Sequence, residues 1–333
     1  MADIEIKRRI AFVTGGSGFV GGRLIRALVA RGWDVRALVR SSASMAAVAA
    51  LGATPVSGDI GNREALSAGI EGCDVAFHAA AMFKLWGTRR EFDAVNVDGM
   101  DNLIAAAVAA SSVRKLIYVS AAAVVMGDPI ALVEIDETAP TQQRGFAPYS
   151  SSKAEAEARL LAANNRRPGF ETMAIRPPMI WGKDMPMLEQ MAATVRKGQW
   201  QWVGGGTQAM STCHVDNLVE ALLLAADSGR SGQAYFVADD ERGTLKSVLS
   251  ALLATQGVTA KDKSVSFAMA WRLSTVMETI WRLLHLGGEP PLTRQMLQLI
   301  GKPFTLRTEK AQRHLGYEPR LTWQEGIDAM SRS

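Results

Sequence analysis

The chain has 333 residues, of which 48% are hydrophobic and 21% are charged. This balance is typical of a globular protein with a large core, and it excludes a disordered chain. The net charge of +4 comes from scattered basic residues without interleaved aromatic residues, so no nucleic-acid surface is indicated. The two cysteines and four histidines are also scattered, which predicts neither a disulfide framework nor a metal site.

The N-terminal sequence and the longest apolar runs indicate where the protein resides. Asp3 and Glu5 precede the first apolar stretch, unlike the basic start of a signal peptide. The apolar run over residues 103–110 ends at Arg114 and Lys115, well short of the length that spans a membrane. We therefore expect a soluble, cytoplasmic protein without a transmembrane segment.

The first half of the chain alternates short β-branched runs with helical ones. Strands are predicted at residues 10–14, 35–39, 54–57, 75–78, 116–120 and 173–175. Helices are predicted at residues 19–30, 45–51, 63–70, 92–109 and 150–163. Alternation with short connections predicts a doubly wound α/β fold, in which helices cover both faces of a parallel sheet.

The pattern changes after Arg176. Pro177 and Pro178 end the last regular strand, and the remainder is mostly helical with loops rich in Gly and Trp. Residues 234–237 have the pattern of a strand that returns to the main sheet. We predict that residues 177–333 form a smaller lobe over the carboxyl edge of the sheet, where ligands bind in this architecture.

A glycine-rich turn joins the first strand to the first helix. Gly15 permits the tight turn, Gly18 lets the backbone approach a pyrophosphate, and Gly21 lets helix and strand pack closely. The N–H groups and the positive end of the helix would bind the phosphates. Because the turn starts a βαβ unit, it indicates a dinucleotide site more than an ordinary strand–helix connection. The expected contacts here are Gly15, Ser17, Gly18, Phe19, Val20 and Gly21.

The end of the second strand selects the dinucleotide. An NAD site usually has Asp or Glu there to bind the ribose 2′-hydroxyl, whereas this chain has Val39 followed by Arg40. An arginine can pair with a 2′-phosphate that a carboxylate would repel. Arg40 therefore favours NADP(H), with NAD(H) and a merely solvated arginine as the alternative. Residues 1–176 are predicted to be the NADP(H)-binding domain and residues 177–333 the substrate-binding lobe.

Two later strand ends complete the expected cofactor site. Asp59 and Ile60 follow the third strand, and the small residues Ala79, Ala80 and Ala81 follow the fourth, where they leave room for a cofactor. Asp59 either accepts a hydrogen bond from the adenine amino group or caps the helix near residue 63.

Tyr149 and Lys153 are one helical turn apart, so their side chains share a face. A neighbouring ammonium group favours the phenolate and lowers the pKa of a tyrosine from its usual value of about 10. Tyr149 could then exchange a proton with a substrate oxygen while a nicotinamide exchanges hydride. After a dinucleotide fingerprint, this pair indicates catalysis more than surface residues.

These motifs together resemble those of the extended short-chain dehydrogenases/reductases, which bind a nicotinamide dinucleotide on a Rossmann fold. Motifs of the second half are similar to the 3β-hydroxysteroid dehydrogenase and sterol dehydrogenase branch, including Ile180-Trp181-Gly182 and His214-Val215-Asp216-Asn217. The resemblance adds Lys153 and Pro177 to the cofactor contacts. It also implies a homodimer through the helices near residues 92–109 and 150–163.

One residue departs from the family pattern. The family has a Ser or Thr five residues before a glycine, and counting back from Gly127 places Ala122 there. Ser120 is the nearby hydroxyl and is the expected substitute if the loop is shifted by two residues. Loss of such a donor typically lowers the rate about 10²–10³-fold, so catalysis is not excluded.

Aromatic and apolar residues cluster where the family binds its substrate. The candidates for substrate contact are Phe83, Trp86, Met179 and Trp181, with Met82, Trp200 and Trp202 nearby in the sequence pattern. Any one of them could instead fill the core. Collectively they favour a hydrophobic ketone or secondary alcohol.

Residues 271–286 predict an amphipathic helix. Its apolar positions are Leu273, Val276, Met277, Ile280, Trp281 and Leu284, and Arg272, Thr279 and Arg282 lie opposite. We expect this stripe to pack on its own domain, with a lid over the substrate and a membrane-surface contact as the second and third alternatives.

The sequence therefore predicts an NADP(H)-dependent oxidoreductase that interconverts a ketone and a secondary alcohol on a steroid-like or other apolar molecule. The expected catalytic residues are Tyr149, Lys153 and Ser120, with no metal. The alternatives are a nucleotide-sugar epimerase or dehydratase, and a dinucleotide-binding sensor or scaffold without turnover.

Overall fold

A computed structural model describes residues 8–332 of the chain. The strands are β1 (Ile10–Thr14), β2 (Asp34–Val39), β3 (Thr54–Ser57), β4 (Val75–His78), β5 (Lys115–Val119), β6 (Leu132–Ile135), β7 (Glu171–Arg176), β8 (Met179–Trp181), β9 (Trp202–Val203), β10 (Ala209–Met210), β11 (Thr212–His214), β12 (Gln233–Phe236), β13 (Gly243–Thr244), β14 (Ser264–Val265) and β15 (Phe304–Leu306). Asp3 and Glu5, whose charges argue against a signal peptide, lie outside the described residues.

The helices alternate with these strands in the first half and dominate the second. They are α1 (Phe19–Ala30), α2 (Ser42–Ala50), α3 (Arg63–Ile70), α4 (Arg89–Asn96), α5 (Asp98–Ala109), α6 (Pro148–Ala162), α7 (Leu188–Arg196), α8 (Val215–Ser228), α9 (Leu245–Ala254), α10 (Phe267–Leu283), α11 (Arg294–Ile300), α12 (Glu309–Leu315) and α13 (Trp323–Ser331). Short 3-10 turns lie at Ala122–Val125 and Gly204–Gly206.

The main sheet has seven strands in the order β12-β7-β5-β4-β1-β2-β3, and every neighbouring pair is parallel. This order reverses direction between β1 and β4, so the carboxyl ends of these two strands form the crevice where ligands bind in doubly wound sheets. The predicted fold class is confirmed. Strand β12 brings residues 233–236 back to the main sheet, beside β7. The division between residues 176 and 177 stays a prediction.

Alternate residues of the central strands face two separate cores. Val13 and Phe77 pack with α1, α8 and α12 on one face of the sheet. Phe12 and Ala76 pack with α3, α5 and α6 on the other. The sheet is therefore buried on both faces, which explains the near-continuous apolar sequence of its strands.

The predicted helix over residues 92–109 is two helices, α4 and α5, which meet at Val97. Thr88 and Glu91 form a reciprocal capping box that starts α4 at Arg89, before the predicted beginning. Just after the break, a Cβ on Gly99 would lie 2.7 Å from Cγ1 of Ile60. Helix α5 thus approaches the loop after β3 closely, because a glycine stands there.

The expected packing of the amphipathic helix was wrong for four of its six apolar positions, and only Met277 and Trp281 are half-buried. Helix α10 covers most of the predicted segment, but Leu273, Val276, Ile280 and Leu284 are 41–66% exposed. The helix packs on its own domain through Ala270, Ser274 and Glu278 instead, so sequence periodicity located the apolar stripe but not its partner. None of the helices in the described part of the chain is long and apolar enough to cross a membrane.

Candidate active site

The glycine-rich turn brings β1, α1 and the end of β4 into close contact. Gly15 has a φ of 74°, and a Cβ there would lie 2.5 Å from the backbone nitrogen of Ala80. Gly21 packs on the same turn, where a Cβ would lie 2.7 Å from the carbonyl carbon of Gly15. Only glycine fits at these two positions.

The first turn of α1 has free donors. Gly18 is the N-cap of the helix and offers no side-chain hydrogen bond to it. Ser17 and Gly18 are exposed, and Phe19 and Val20 are half-buried, so the N–H groups at this end lie next to solvent at the crevice. This cradle fits the pyrophosphate of a dinucleotide.

Arg40 directly follows β2, and residues at this strand end contact the adenosine ribose of a bound dinucleotide in this fold. It is exposed, and it has neither a hydrogen bond nor an ion pair with any other residue in the described range 8–332. Ser41 caps α2 by accepting a hydrogen bond from the Ser44 N–H at 3.2 Å. The Arg40 guanidinium group is therefore free to bind a ligand, and the capped start of α2 follows it directly in the chain.

The loops after β3 and β4 form the other wall of the crevice. The Asp59 carboxylate accepts a hydrogen bond from the Gly61 N–H at 2.8 Å, whereas Asn62 caps α3. The alternative role of Asp59 as the helix cap is therefore wrong. Ile60 and the pair Ala79 and Ala80 are half-buried, and Ala81 is exposed.

Tyr149 and Lys153 lie in the first two turns of α6, as their spacing predicts. The ring of Phe83 meets the ring of Tyr149 edge-on, with 4.9 Å between centroids. Burial raises the pKa of the Tyr149 phenol above its usual value of 10.0, so the hydroxyl is protonated at neutral pH. The sequence predicts a lowered pKa for Tyr149, whereas the pKa of this phenol is raised in the structure of the chain by itself.

Lys153 is 2% exposed and lies against the end of β5. Its Nζ donates a hydrogen bond to the carbonyl oxygen of Val119 at 2.6 Å and lies 4.1 Å from the centroid of the Tyr118 ring. Burial lowers the pKa of Lys153 to about 7, and the Glu157 carboxylate opposes this shift. The ammonium group therefore titrates near physiological pH.

A buried ion pair lies behind Lys153. Nε of Arg176 donates to both carboxylate oxygens of Glu157, at 3.1 and 3.0 Å, and both side chains are at most 5% exposed. The hydroxyl of Ser120 donates to the same carboxylate at 2.6 Å. Ser120 is therefore directed to Glu157, and the expectation that it replaces the family hydroxyl is not met in this arrangement. Ala122 is fully buried, and its N–H donates to the carbonyl oxygen of Pro177 at 2.7 Å.

His78 completes the buried surroundings of Lys153. Its ring stacks on Tyr118 with 5.3 Å between centroids, and Nδ1 lies 2.6 Å from the Thr14 hydroxyl. Burial, reinforced by Lys153, lowers the pKa of His78 to about 3, so the ring is neutral. A neutral histidine adds no second cation beside the lysine.

Two glutamines of α11 hold the start of α6, and sequence reasoning missed both. Helix α6 has no side-chain cap at Ala147; instead, Oε1 of Gln295 accepts a hydrogen bond from the Tyr149 N–H at 2.8 Å. Gln298 accepts from the Ser150 hydroxyl at 2.9 Å and donates to the carbonyl oxygen of Gly127 at 2.8 Å. Nothing local marks these residues, because they are 146–171 positions from their partners in the sequence.

The four candidate substrate residues differ in their access to solvent. Phe83, next to Tyr149, and Trp86, which lines a small pocket with Phe146, have accessible surface at the cleft. Met179 is half-buried in β8. Trp181 has no exposed surface, and its Nε1 donates to the carboxylate of Asp239 at 2.7 Å, so the structure places it in the core and not at the site.

The described residues fit a nicotinamide dinucleotide and contain no group of His, Cys, Asp and Glu that would hold a metal ion. The glycine cradle and the open N-terminus of α1 match its pyrophosphate. The model of the 3-beta hydroxysteroid dehydrogenase/isomerase family matches residues 12–269. The chain belongs to this family. It is an NAD(P)-dependent dehydrogenase/reductase of the extended short-chain type.

Relatives of this family member extend over nearly the whole chain. The 4-hydroxy-2-methyl-3-oxo-4-farnesyl-3,4-dihydroquinoline-1-oxide ketoreductase of Stigmatella aurantiaca is 43% identical, covering 97% of this chain and 96% of the relative. The 2-alkyl-3-oxoalkanoate reductase of Stenotrophomonas maltophilia is 35% identical, covering 96% and 98%. The solved UDP-glucose 4-epimerase of Thermotoga maritima has a TM-score of 0.76 at 18% identity, covering 97% of each chain, and so shares the fold.

The buried ion pair gives a prediction about stability. Glu157→Gln removes the counter-charge of buried Arg176, and we expect the free energy of unfolding to fall by about 3–5 kcal/mol. Glu189→Gln, which removes one partner of the exposed pair with Arg196, should change it by less than about 0.5 kcal/mol. Urea unfolding of both variants measures the difference. Equal effects of the two substitutions would contradict the importance assigned to burial.

Proposed function

We propose that the protein is an NADP(H)-dependent oxidoreductase that interconverts a ketone and a secondary alcohol on an apolar small molecule. The observation that carries the proposal is the Tyr149–Lys153 pair at the carboxyl edge of the sheet that also bears the glycine cradle, with the ring of Phe83 against Tyr149. In this proposal residues 1–176 bind the dinucleotide and residues 177–333 contribute to the substrate site.

The chain's own residues would hold the cofactor and move one proton. The N–H groups at the start of α1 bind the pyrophosphate, and Asp59, Ile60, Ala79–Ala81 and Pro177 line its path. When bound, the cofactor supplies or accepts the hydride. Lys153 orients the cofactor and stabilises negative charge on the Tyr149 oxygen.

Tyr149 is the proposed proton donor for reduction. Its raised pKa keeps the phenol protonated at neutral pH, which is the form that can donate to a carbonyl oxygen becoming an alkoxide. The positive charge of Lys153, one turn away, lowers the cost of the phenolate that remains. Ser120 is given no part in this step, because its hydroxyl donates to Glu157.

An apolar substrate is supported by the surroundings of Tyr149 and by the relatives. Phe83 and Trp86 offer aromatic surface at the cleft. The two curated relatives are named for ketones that carry farnesyl or alkyl chains. The proposed substrate class is therefore a ketone, or the corresponding alcohol, attached to a hydrocarbon chain or ring system.

We also propose a homodimer through the outer faces of α5 and α6. A shallow depression on this face is lined by Asp101, Ile104, Ala105, Val108, Ala109 and Arg166. Small side chains such as Ala105 and Ala109 allow two helices to approach closely.

The first prediction from the proposed function tests the catalytic role of Tyr149. Tyr149→Phe should lower kcat for NADPH-dependent reduction of a long-chain 3-oxoalkanoate about 10³-fold, while NADPH affinity is kept. Tyr235→Phe is the control, since within residues 8–332 that hydroxyl bonds only to the backbone of Arg230. Turnover by the unchanged protein without added cofactor would favour an epimerase or dehydratase. NADPH binding without turnover of any apolar ketone would favour a sensor.

The second prediction concerns cofactor choice. Arg40→Ala should weaken NADPH binding about thirtyfold and leave NADH binding unchanged, because a charge-assisted contact with the 2′-phosphate is lost. Arg26→Ala, an exposed arginine on α1, serves as the control for total charge. Fluorescence titration measures both affinities. A parallel loss of NADPH and NADH affinity would contradict the role of Arg40.

The third prediction follows from the pKa of Lys153. The ammonium charge is present below pH about 7 and is lost above it, so kcat for ketone reduction should decline as pH rises through this value. In Lys153→Arg the guanidinium stays charged, and the inflection near pH 7 should disappear even if the rate is lower. A parent profile that stays level from about pH 6 to about pH 9 is incompatible with this assignment.

A further inference from the structure

Helix α10 is attached to the rest of the protein along a narrow line of side chains. Its buried positions are Ala270, Ser274 and Glu278, each one helical turn after the last. The Glu278 carboxylate accepts hydrogen bonds from the backbone N–H and from Nε of Arg294 in α11, at 2.7 and 2.8 Å. The attachment of α10 therefore combines this polar contact with an apolar one near its start, where Ala270, Phe267 and Trp271 pack with Val203 and Leu297.

The side of α10 that faces away from this attachment exposes a continuous row of apolar side chains. Its members repeat at three- and four-residue intervals, continue beyond the last turn, and are 41–73% exposed: Met269, Leu273, Val276, Ile280, Leu283, Leu284 and Leu286. We call this row the α10 stripe. Single exposed apolar residues are ordinary, whereas a contiguous row of this length marks an interaction surface.

The exposed charges next to the α10 stripe are cationic. Glu278 is the only carboxylate in residues 267–286, and it is 5% exposed. Arg272 and Arg282 lie on the adjoining polar flank and are exposed. Arg282 also forms a long ion pair with Glu278, with 3.9 Å between Nη2 and the carboxylate oxygen. An apolar row flanked by arginines complements an anionic lipid surface, because the guanidinium groups can remain among the headgroups.

The helix that bears the stripe contacts residues that adjoin the proposed active site. Helix α10 and the start of α6 enclose a small pocket whose lining includes Trp86, Phe146 and Gln295. The guanidinium of Arg282 lies 5.1 Å from the centroid of the Trp86 ring. Phe146 is 40% exposed and packs edge-on against Trp271 of α10, with 5.6 Å between centroids. Exposed aromatic surface thus extends from α10 towards the start of the helix that carries Tyr149.

We propose that the α10 stripe docks the protein on the surface of an anionic lipid bilayer, lying in the interface and not crossing it. The helix has 17 residues, fewer than the ~20 that span a bilayer. A second copy of the chain fits this face less well, since a two-fold contact would place the same arginines of two chains against each other. Docking here brings the aromatic residues near the start of α6 close to the phase in which apolar molecules dissolve.

The test is sedimentation of the full chain with vesicles of phosphatidylcholine alone or mixed with phosphatidylglycerol. The unchanged protein should bind the mixed vesicles, and Val276→Asn/Leu283→Asn should bind them about a hundredfold more weakly, because two apolar side chains no longer enter the bilayer. Thr275→Asn/Thr279→Asn places the same residues on the polar flank of the same helix and should keep the affinity within about twofold. Far-ultraviolet circular dichroism and thermal unfolding check that both double variants are folded.

The arginines are tested separately, and the proposal can fail in three ways. Arg272→Gln should weaken binding to the mixed vesicles about fivefold and leave binding to phosphatidylcholine unchanged. Absence of vesicle binding by the unchanged protein overturns the proposal, as does an equal loss in the two double variants. If sedimentation velocity shows a dimer of the unchanged protein that dissociates in Val276→Asn/Leu283→Asn and not in the control variant, the stripe is assigned to a second copy instead. Vesicle binding needs no turnover, so these outcomes are independent of the proposed function.

Discussion

A lysine ammonium group buried at the carboxyl edge of the main sheet is the constraint on which the active site depends. Removing such a charge from water is costly unless nearby groups compensate for it. In this protein the Val119 carbonyl accepts its hydrogen bond, the Tyr118 ring lies beside it, and Glu157 provides negative charge one turn along α6. The compensation is incomplete, which is why the pKa of Lys153 falls to about 7.

The buried Glu157 carboxylate is in turn stabilised by the Arg176 guanidinium group, and this ion pair links the site to the sheet. Arg176 ends β7 and Glu157 lies in the third turn of α6, so their ion pair joins helix and strand below the reacting groups. The same carboxylate accepts a hydrogen bond from the hydroxyl of Ser120. A hydroxyl that the sequence offered for catalysis is thereby used in holding the buried charges.

The second half of the chain positions the site as well as covering it. The Tyr149 N–H belongs to the first turn of α6, where no neighbouring side chain accepts it, and Gln295 of α11 provides the missing acceptor. Glu278 of α10 holds Arg294 in the same short helix. Helix α10 and the Tyr149 backbone are therefore connected through the contacts of two consecutive residues of α11, Arg294 and Gln295.

The elements that local pattern determines were predicted from the sequence alone. Strands β1, β3 and β4 and helices α1 and α3 have the predicted bounds, because alternating apolar runs with glycine or polar caps are local signals. The glycine turn and the Tyr149–Lys153 spacing likewise identified the cofactor cradle and the candidate pair.

Only the tertiary structure decided which groups surround them. The partners of Ser120 and Tyr149, the burial of Trp181 and the exposure of the α10 stripe depend on contacts between distant residues, and a periodic sequence shows that a helix has an apolar face but not what that face meets.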